Sequence, residues 1–363
     1  MLQRVFSFVL AIASLGLVSC EPTSTPSGDT WDRGAMLAHL SNEYIVPAFE
    51  AYGDATDNML VSAQAWNIDP SEANLAQLQQ AVLHSYEAWQ WVSFLDVGPA
   101  ESVALRNRTN TYPVDTTAAL NHALISDSTQ LPNYLLPSTF DQQGFPALDY
   151  LLWSRDASFF AAEPSARAHV VRLCAALQES AAQTVLSWAD YKSGFVANDG
   201  SSASASTNKL ANDFIYHVEK ELRAGKVGIP AGVFSSNPYP EKVEAKFSGH
   251  SKALFMTSLD AHQAFFNGQS FDGLSSGPSF AAYLDHLGIQ AAGTPLSDKI
   301  NTAFDDARAS ATALQSNLSD HISSDVYAVL DLYDDLQTAV VLLKVDMMQA
   351  MNIKVDYVDA DGD

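Results

Sequence analysis

The chain has 363 residues, 47% of them hydrophobic, and a formal charge of −23 at pH 7 from 42 acidic and 19 basic residues. Such a surface repels phosphate backbones and anionic headgroups, so nucleic-acid binding and electrostatic docking to membranes are disfavoured. The length suits about two domains and the apolar content a large core.

Arg4 precedes an apolar run at residues 5–18. The run is shorter than the roughly 20 residues a helix needs to span a bilayer, so it reads as an export signal. It ends in Leu17, Val18, Ser19 and Cys20, the order of small residues before a cysteine that marks a lipobox. Residues 1–19 are therefore expected to be a lipoprotein signal peptide, with Cys20 the lipidated first residue of the mature chain and the link to the envelope membrane. Glu21, not Asp, follows Cys20 and permits sorting to the outer membrane of a bacterium, facing the periplasm or the surface. Residues 20–30, rich in Pro, Ser, Thr and Gly, make a flexible tether. Only Cys174 remains after Cys20, which leaves no internal disulfide, and its neighbours Val170, Val171 and Leu177 mark it as a buried thiol.

From Trp31 onward apolar residues recur with a helical period, which predicts an all-α fold. At residues 71–95, Leu75, Leu78, Val82, Tyr86, Trp89 and Val92 step by three or four after the start signals Asp69, Pro70, Ser71 and Glu72. A second long helix opens at Glu163 and Pro164, carries Val170, Cys174, Leu177, Ala181, Val185 and Trp188 on one stripe, and stops near Gly194. The polar stretch at residues 198–207 is read as the boundary between an N-terminal bundle, residues 31–197, and a C-terminal bundle, residues 207–363. Helices are expected there at about 208–223, 242–267, 278–287, 296–318 and 323–351. Each is too one-sided to stand alone, so two packed four-helix-bundle-like halves follow.

Gly144 through Trp153 is the most informative stretch. Gly144 allows a tight entry, Pro146 fits a first helical turn because its missing N–H would be unpaired there, and Asp149 falls in the electropositive opening turns. Elsewhere His84 and Glu87 stand three apart, and His217 and Glu221 four apart, so either pair could share a metal with a third ligand. Such pairs arise often by chance on polar helix faces, and chance is the better explanation of both. No His-Glu-x-x-His or Gly-x-Ser-x-Gly occurs. Asp359, Asp361 and Asp363 resemble the opening of a calcium loop that ends too early, and read better as an acidic tail.

The stretch at Gly144 resembles the signature of imelysin-like proteins, Gly-x-His-x-x-Glu followed by Tyr-Leu-Leu. Gly144, Tyr150, Leu151 and Leu152 match it, while Pro146 stands at the His and Asp149 at the Glu. Trp89 to Gly98, Arg108 and Tyr112-Pro113 resemble the segment ahead of that signature. Pro240 to Gly268, with Glu244, Phe247, Ser248 and Leu259, resembles the family's second-half block, and residues 342–346 and 361–363 its close.

The resemblance implies two packed four-helix bundles with the signature near a cleft between them. It implies either a binding or accessory protein of bacterial iron uptake, with iron-uptake components as partners and iron or another divalent cation as ligand, or a metallopeptidase. A surface protein that binds a protein partner is the third reading. Proline offers no donor atom, so Asp149 alone makes a weak metal ligand and peptidase action by that route is disfavoured. The resemblance points to Gly144, Pro146, Asp149, Tyr150, Arg108, Tyr112, Glu244 and Ser248 as ligand-binding candidates.

Overall fold

A computed structural model of the chain describes residues 29–357. The export signal, Cys20, most of the tether and the acidic residues Asp359, Asp361 and Asp363 lie outside the described residues.

The first half is built on three long helices. Asp32 opens α1 (Arg33–His39) by accepting from the Ala35 N–H, and a π-helical segment, Leu40–Ile45, carries the chain into α2 (Val46–Ile68). Along α2, Phe49, Tyr52, Thr56, Met59, Ala63 and Trp66 recur every three or four residues, and all are buried. Next, α3 (Glu72–Gln90) starts at the predicted cap, with Ser71 Oγ accepting from Asn74 N. Five short helices follow: α4 (Pro99–Ser102), α5 (Leu105–Asn110), α6 (Thr116–Ala123), α7 (Gly144–Trp153) and α8 (Ala157–Ala162). The 34-residue α9 (Pro164–Ala197) closes the half along α2 and outruns its expected end by one turn. Trp188 packs on Phe49 and Tyr52 on Trp89 in this core, where Cys174 is also buried. Burial pushes the Cys174 thiol up to about 12, so it is no nucleophile.

Residues 198–204 are exposed, yet Asn198 ties them down, donating from Nδ2 to Ser204 O and accepting from Ser206 N. The polar stretch gives way to helix before its expected end, because Ser206, Thr207 and Asn208 are already buried in α10 (Ser206–Tyr216). This helix continues into a π-helical segment, His217–Gly228, and then α11 (Ile229–Ala231), which stops at Gly232 with φ +83°.

Beyond it lie α12 (Ser251–Phe266), α13 (Phe280–Leu287), α14 (Leu296–Ala313), α15 (Leu318–Ser324), α16 (Val326–Val341), a π segment Leu342–Met347 and α17 (Met348–Ala350). The two-residue strands β1 (Gln290–Ala291) and β2 (Thr294–Pro295) pair antiparallel between α13 and α14.

Three expected helices are interrupted. Residues 243–250 are not helical, since Ala245 (φ +48°) and Gly249 (φ +72°) turn the chain out of the helical path. Residues 296–318 break at Leu314 and restart under an Asn317 cap. The last helix starts anew at Asp325, whose carboxylate accepts from Tyr327 N.

In the second half α14 packs on α16 and α12, with the π segment His217–Gly228 against α16. Helix α12 also lies on α3 of the first half, and the described residues from Asp32 onward form one compact unit. Tyr44 marks that join. Its ring meets Phe94 and Phe265, and its hydroxyl lies 3.2 Å from Ala261 O and 3.3 Å from Trp91 O. Aromatic burial of this kind contributes roughly 1.5–3 kcal/mol per ring, which favours keeping the halves together. Among the described residues no helix is long and apolar enough to cross a membrane.

Candidate functional site

Gly144 opens α7 with φ +71°, and a Cβ there would sit on the Thr109 carbonyl of α5. No other residue fits both demands. Pro146 is the third helical residue, where a backbone N–H has no partner within the helix.

Asp149 is the sixth residue, in the second of the opening turns. Its carboxylate reaches to the bent segment at residues 243–249. There Oδ2 accepts from Phe247 N at 2.9 Å and Oδ1 from Ser248 N at 3.0 Å. Two consecutive amides aimed at one anion form a small nest. The side chain is only 3% exposed, and burial pushes its pKa up even though the amides and Ser248 favour the charged form. Next to it, Tyr150 meets Phe247 edge to face at 5.1 Å and accepts from Arg155 at 3.0 Å.

Beside this junction lies a cavity of about 400 Å3, lined by Tyr112, Pro113, Pro146, Asp149 and Tyr150 from the first half and by Glu241, Val243, Lys246 and Phe247 from the second. Tyr112 and Pro113 also line a second chamber, of about 350 Å3, with Arg106, Asn107, Asn110, Lys220, Glu221 and Lys242.

Beneath the wall is a buried polar network. Glu244, 2% exposed, pairs with Lys226, 3% exposed, and its Oε1 accepts from Asn110 Nδ2 at 2.7 Å and Gln90 Nε2 at 3.4 Å. Lys226 also donates to Gln90 Oε1 at 3.0 Å, and Tyr86 donates to Asn110 Oδ1 at 2.5 Å. Tyr86 stacks on Phe145, the α7 residue beside Pro146.

Of the eight candidates, Tyr112, Pro146, Asp149 and Tyr150 line the first chamber. Glu244 lies buried under it, and Ser248 presents its amide to Asp149 and its hydroxyl to Ala245 O. Gly144 and Arg108 are elsewhere: they border a small gap against α9, where Arg108 donates to Val103 O at 3.4 Å and half-burial lowers its pKa. Gly144 thus serves packing.

Neither histidine pair forms a metal site. His84 is exposed, whereas His217 turns inward, its Nδ1 3.0 Å from His262 Nε2, while Glu221 faces the second chamber. His262 Nδ1 lies 2.6 Å from Ser258 O, and burial pushes His262 down to about 3. Sequence reading missed Lys226, Gln90 and Asn110, because no local pattern couples residues as far apart as Gln90 and Lys226, 136 positions along the chain.

A metal ion of the kind the family resemblance implies does not fit the residues present. Both Asp149 oxygens are taken by amides, Pro146 has no donor, and among the described residues no group of three His, Cys, Asp or Glu could hold an ion.

An all-α protein of two packed helical halves, with chambers where the halves meet, is the class the fold defines. The Imelysin (peptidase M75) family model matches residues 45–343, so the chain belongs to the imelysin family. Among solved structures, an imelysin-like protein from Psychrobacter arcticum 273-4 is 20% identical with a TM-score of 0.70, over 90% of this chain and 97% of that one. A putative iron-regulated protein A precursor from Parabacteroides distasonis ATCC 8503 is 14% identical with a TM-score of 0.70, over 89% and 96%. At these identities the likeness shows the fold. No curated protein matches the chain.

Proposed function

We propose that this protein is a lipid-anchored component of bacterial iron acquisition, tethered to the outer membrane through Cys20, that binds its ligand in the chambers between the halves. The observation that carries this reading is the 400 Å3 cavity itself, which draws its walls from the signature helix and from the segment at residues 241–247. A site shared by two packed halves is a common place for a small ligand. Support also comes from the fold neighbour from Parabacteroides distasonis, a putative iron-regulated protein A precursor. The engagement of both Asp149 oxygens favours binding over peptidase chemistry, since a catalytic metal needs about three protein ligands and an open position.

Calorimetric titration of the native protein with ferrous, ferric, zinc and calcium ions and with ferric chelates tests the reading. Binding of an iron form that Tyr112→Ala, at the wall shared by both chambers, weakens is expected. No iron form bound, or binding that Tyr112→Ala leaves unchanged, overturns it. Pro146→His, which restores the signature histidine, is expected to raise affinity for free ions. For the anchor, the unaltered protein should enter the detergent phase and Cys20→Ala should not. An unaltered protein found wholly in the aqueous phase would refute lipidation.

A further inference from the structure

The lining of the second chamber is richer in cations than the protein around it. Acidic residues outnumber basic ones 42 to 19 over the chain, yet this chamber is lined by Arg106, Lys220 and Lys242 against Glu221 alone. Lys246 stands across the shared wall in the first chamber. In a molecule this acidic, a local excess of cations in a concave site focuses potential toward anions.

The rest of the lining supplies neutral donors. Asn107 and Asn110 offer amides, and Tyr112 Oη is a buried hydroxyl with no hydrogen-bond partner. Burial pushes the Tyr112 phenol up, so it remains a donor. Gly225 keeps the space before that hydroxyl open: a Cβ there would come within 3.1 Å of Tyr112 Oη.

The cations differ in how free they are. Arg106 is fixed by two hydrogen bonds to Asp213, at 2.8 and 2.9 Å, and forms a rigid wall. Lys220 is held only loosely, 3.6 Å from Glu219, and Lys242 rests over the Tyr239 ring at 4.2 Å. Both can swing toward a ligand at little cost. The volume, about 350 Å3, lies at the small end of the range for ligand sites, roughly 300–1,000 Å3.

We infer that this chamber binds a small polycarboxylate, free or as the chelator of a metal ion, with Lys220 and Lys242 meeting its carboxylates and Tyr112, Asn107 and Asn110 donating to it. The inference rests on the cleft reading above and deepens it. A bare cation lacks a ligand set here, whereas an ion already wrapped in carboxylates presents the anionic surface this lining suits. Glu221 is the one acidic residue of the lining itself, with Asp213 and Glu219 behind it as partners of Arg106 and Lys220, and so gives the inference a sign.

The test is calorimetric titration of the full lipidated protein in neutral detergent with citrate, ferric citrate and inorganic phosphate, at low and high salt. The native protein is expected to bind citrate, with affinity falling as salt rises. Lys220→Gln and Lys242→Gln should each weaken binding on the order of ten-fold, the effect of losing one charge-assisted hydrogen bond. Glu221→Gln should tighten it. Circular dichroism and melting of each variant confirm that the fold persists.

Loss of binding in Glu221→Gln would identify a cation site and overturn the inference. So would unchanged affinity in both lysine variants, phosphate bound in place of citrate, or no anion bound at all. Ferric citrate binding lost in Tyr150→Ala but unaltered by the lysine variants would keep the cleft reading and sink this chamber. Lysine-dependent binding of free citrate, with ferric citrate excluded, would keep the chamber and sink the iron reading.

Discussion

The segment at residues 243–249 enters the first half at two points, and the two are secured differently. At one end the Asp149 carboxylate, from the first half, takes two backbone amides of the segment. At the other the segment's own Glu244 is met by side chains, Asn110 and Gln90 from the first half and Lys226 from the second. An amide is present whatever residue occupies the position, so the Asp149 end tolerates change in the segment but not in Asp149. The Glu244 end depends on several side chains at once. A buried ion pair also holds little net stability until one partner is removed.

The largest way to break the contrast is Lys226→Met, which leaves Glu244 charged and enclosed. A loss of about 3–5 kcal/mol in denaturant melts is expected, and adding Glu244→Leu should return much of it. A double variant no more stable than the single would show that the pair contributes as a pair.

Asp149→Asn should cost less, about 1–3 kcal/mol, because asparagine can accept one of the two amides while its own NH2 confronts the other. Unaltered stability would mean that the segment stays seated without this anchor.

The pH response sharpens the same comparison. Burial raises the Asp149 pKa, so from the ordinary carboxylate value up to the raised one the native state holds a proton that the unfolded chain has released. Stability from this group is therefore complete below the unfolded value and declines as pH rises through that window. Melting temperatures across acidic pH should show a smaller decline in Asp149→Asn than in the native protein. An identical profile would remove Asp149 as its source.

Smallest is Ser248→Ala, which loses the hydroxyl bond to Ala245 O, at 3.3 Å, and the hydroxyl's support of the Asp149 carboxylate, but keeps the amide bond to Asp149. About 0.5 kcal/mol is expected. A loss as large as that of Asp149→Asn would show that the side chain, not the amide, holds this end.

The helices were legible because their signals are local. Ser71 capped α3 as its position suggested, and the stripes on α3 and α9 are buried as their spacing required, except Val185, which is half-buried. What failed was continuity through residues 243–250, where a positive φ at Ala245, a residue with good helix propensity, leaves no mark in composition.

The site was legible in part for a similar reason. Tyr112, Pro146, Asp149 and Tyr150 lie in recognisable motifs and meet at one cavity. Lys226, Gln90 and Asn110 converge on Glu244 from separate elements, a convergence set by tertiary packing. Gly144 and Arg108 matched the motif, yet they face α9.

The twelve-residue π segment His217–Gly228 brings His217 to His262, Lys226 to Glu244, and Glu221 to the second chamber. Because its winding is wider than that of an α-helix, it bears on which insertions and deletions the chain could survive. Removing one residue inside it would relax the winding toward the regular form and turn everything downstream by about 100°. Lys226 would swing off Glu244 while His217 kept its place, uncoupling the cleft from the core behind it. The length of this stretch is thus constrained in a way that the identities of its residues alone would not reveal.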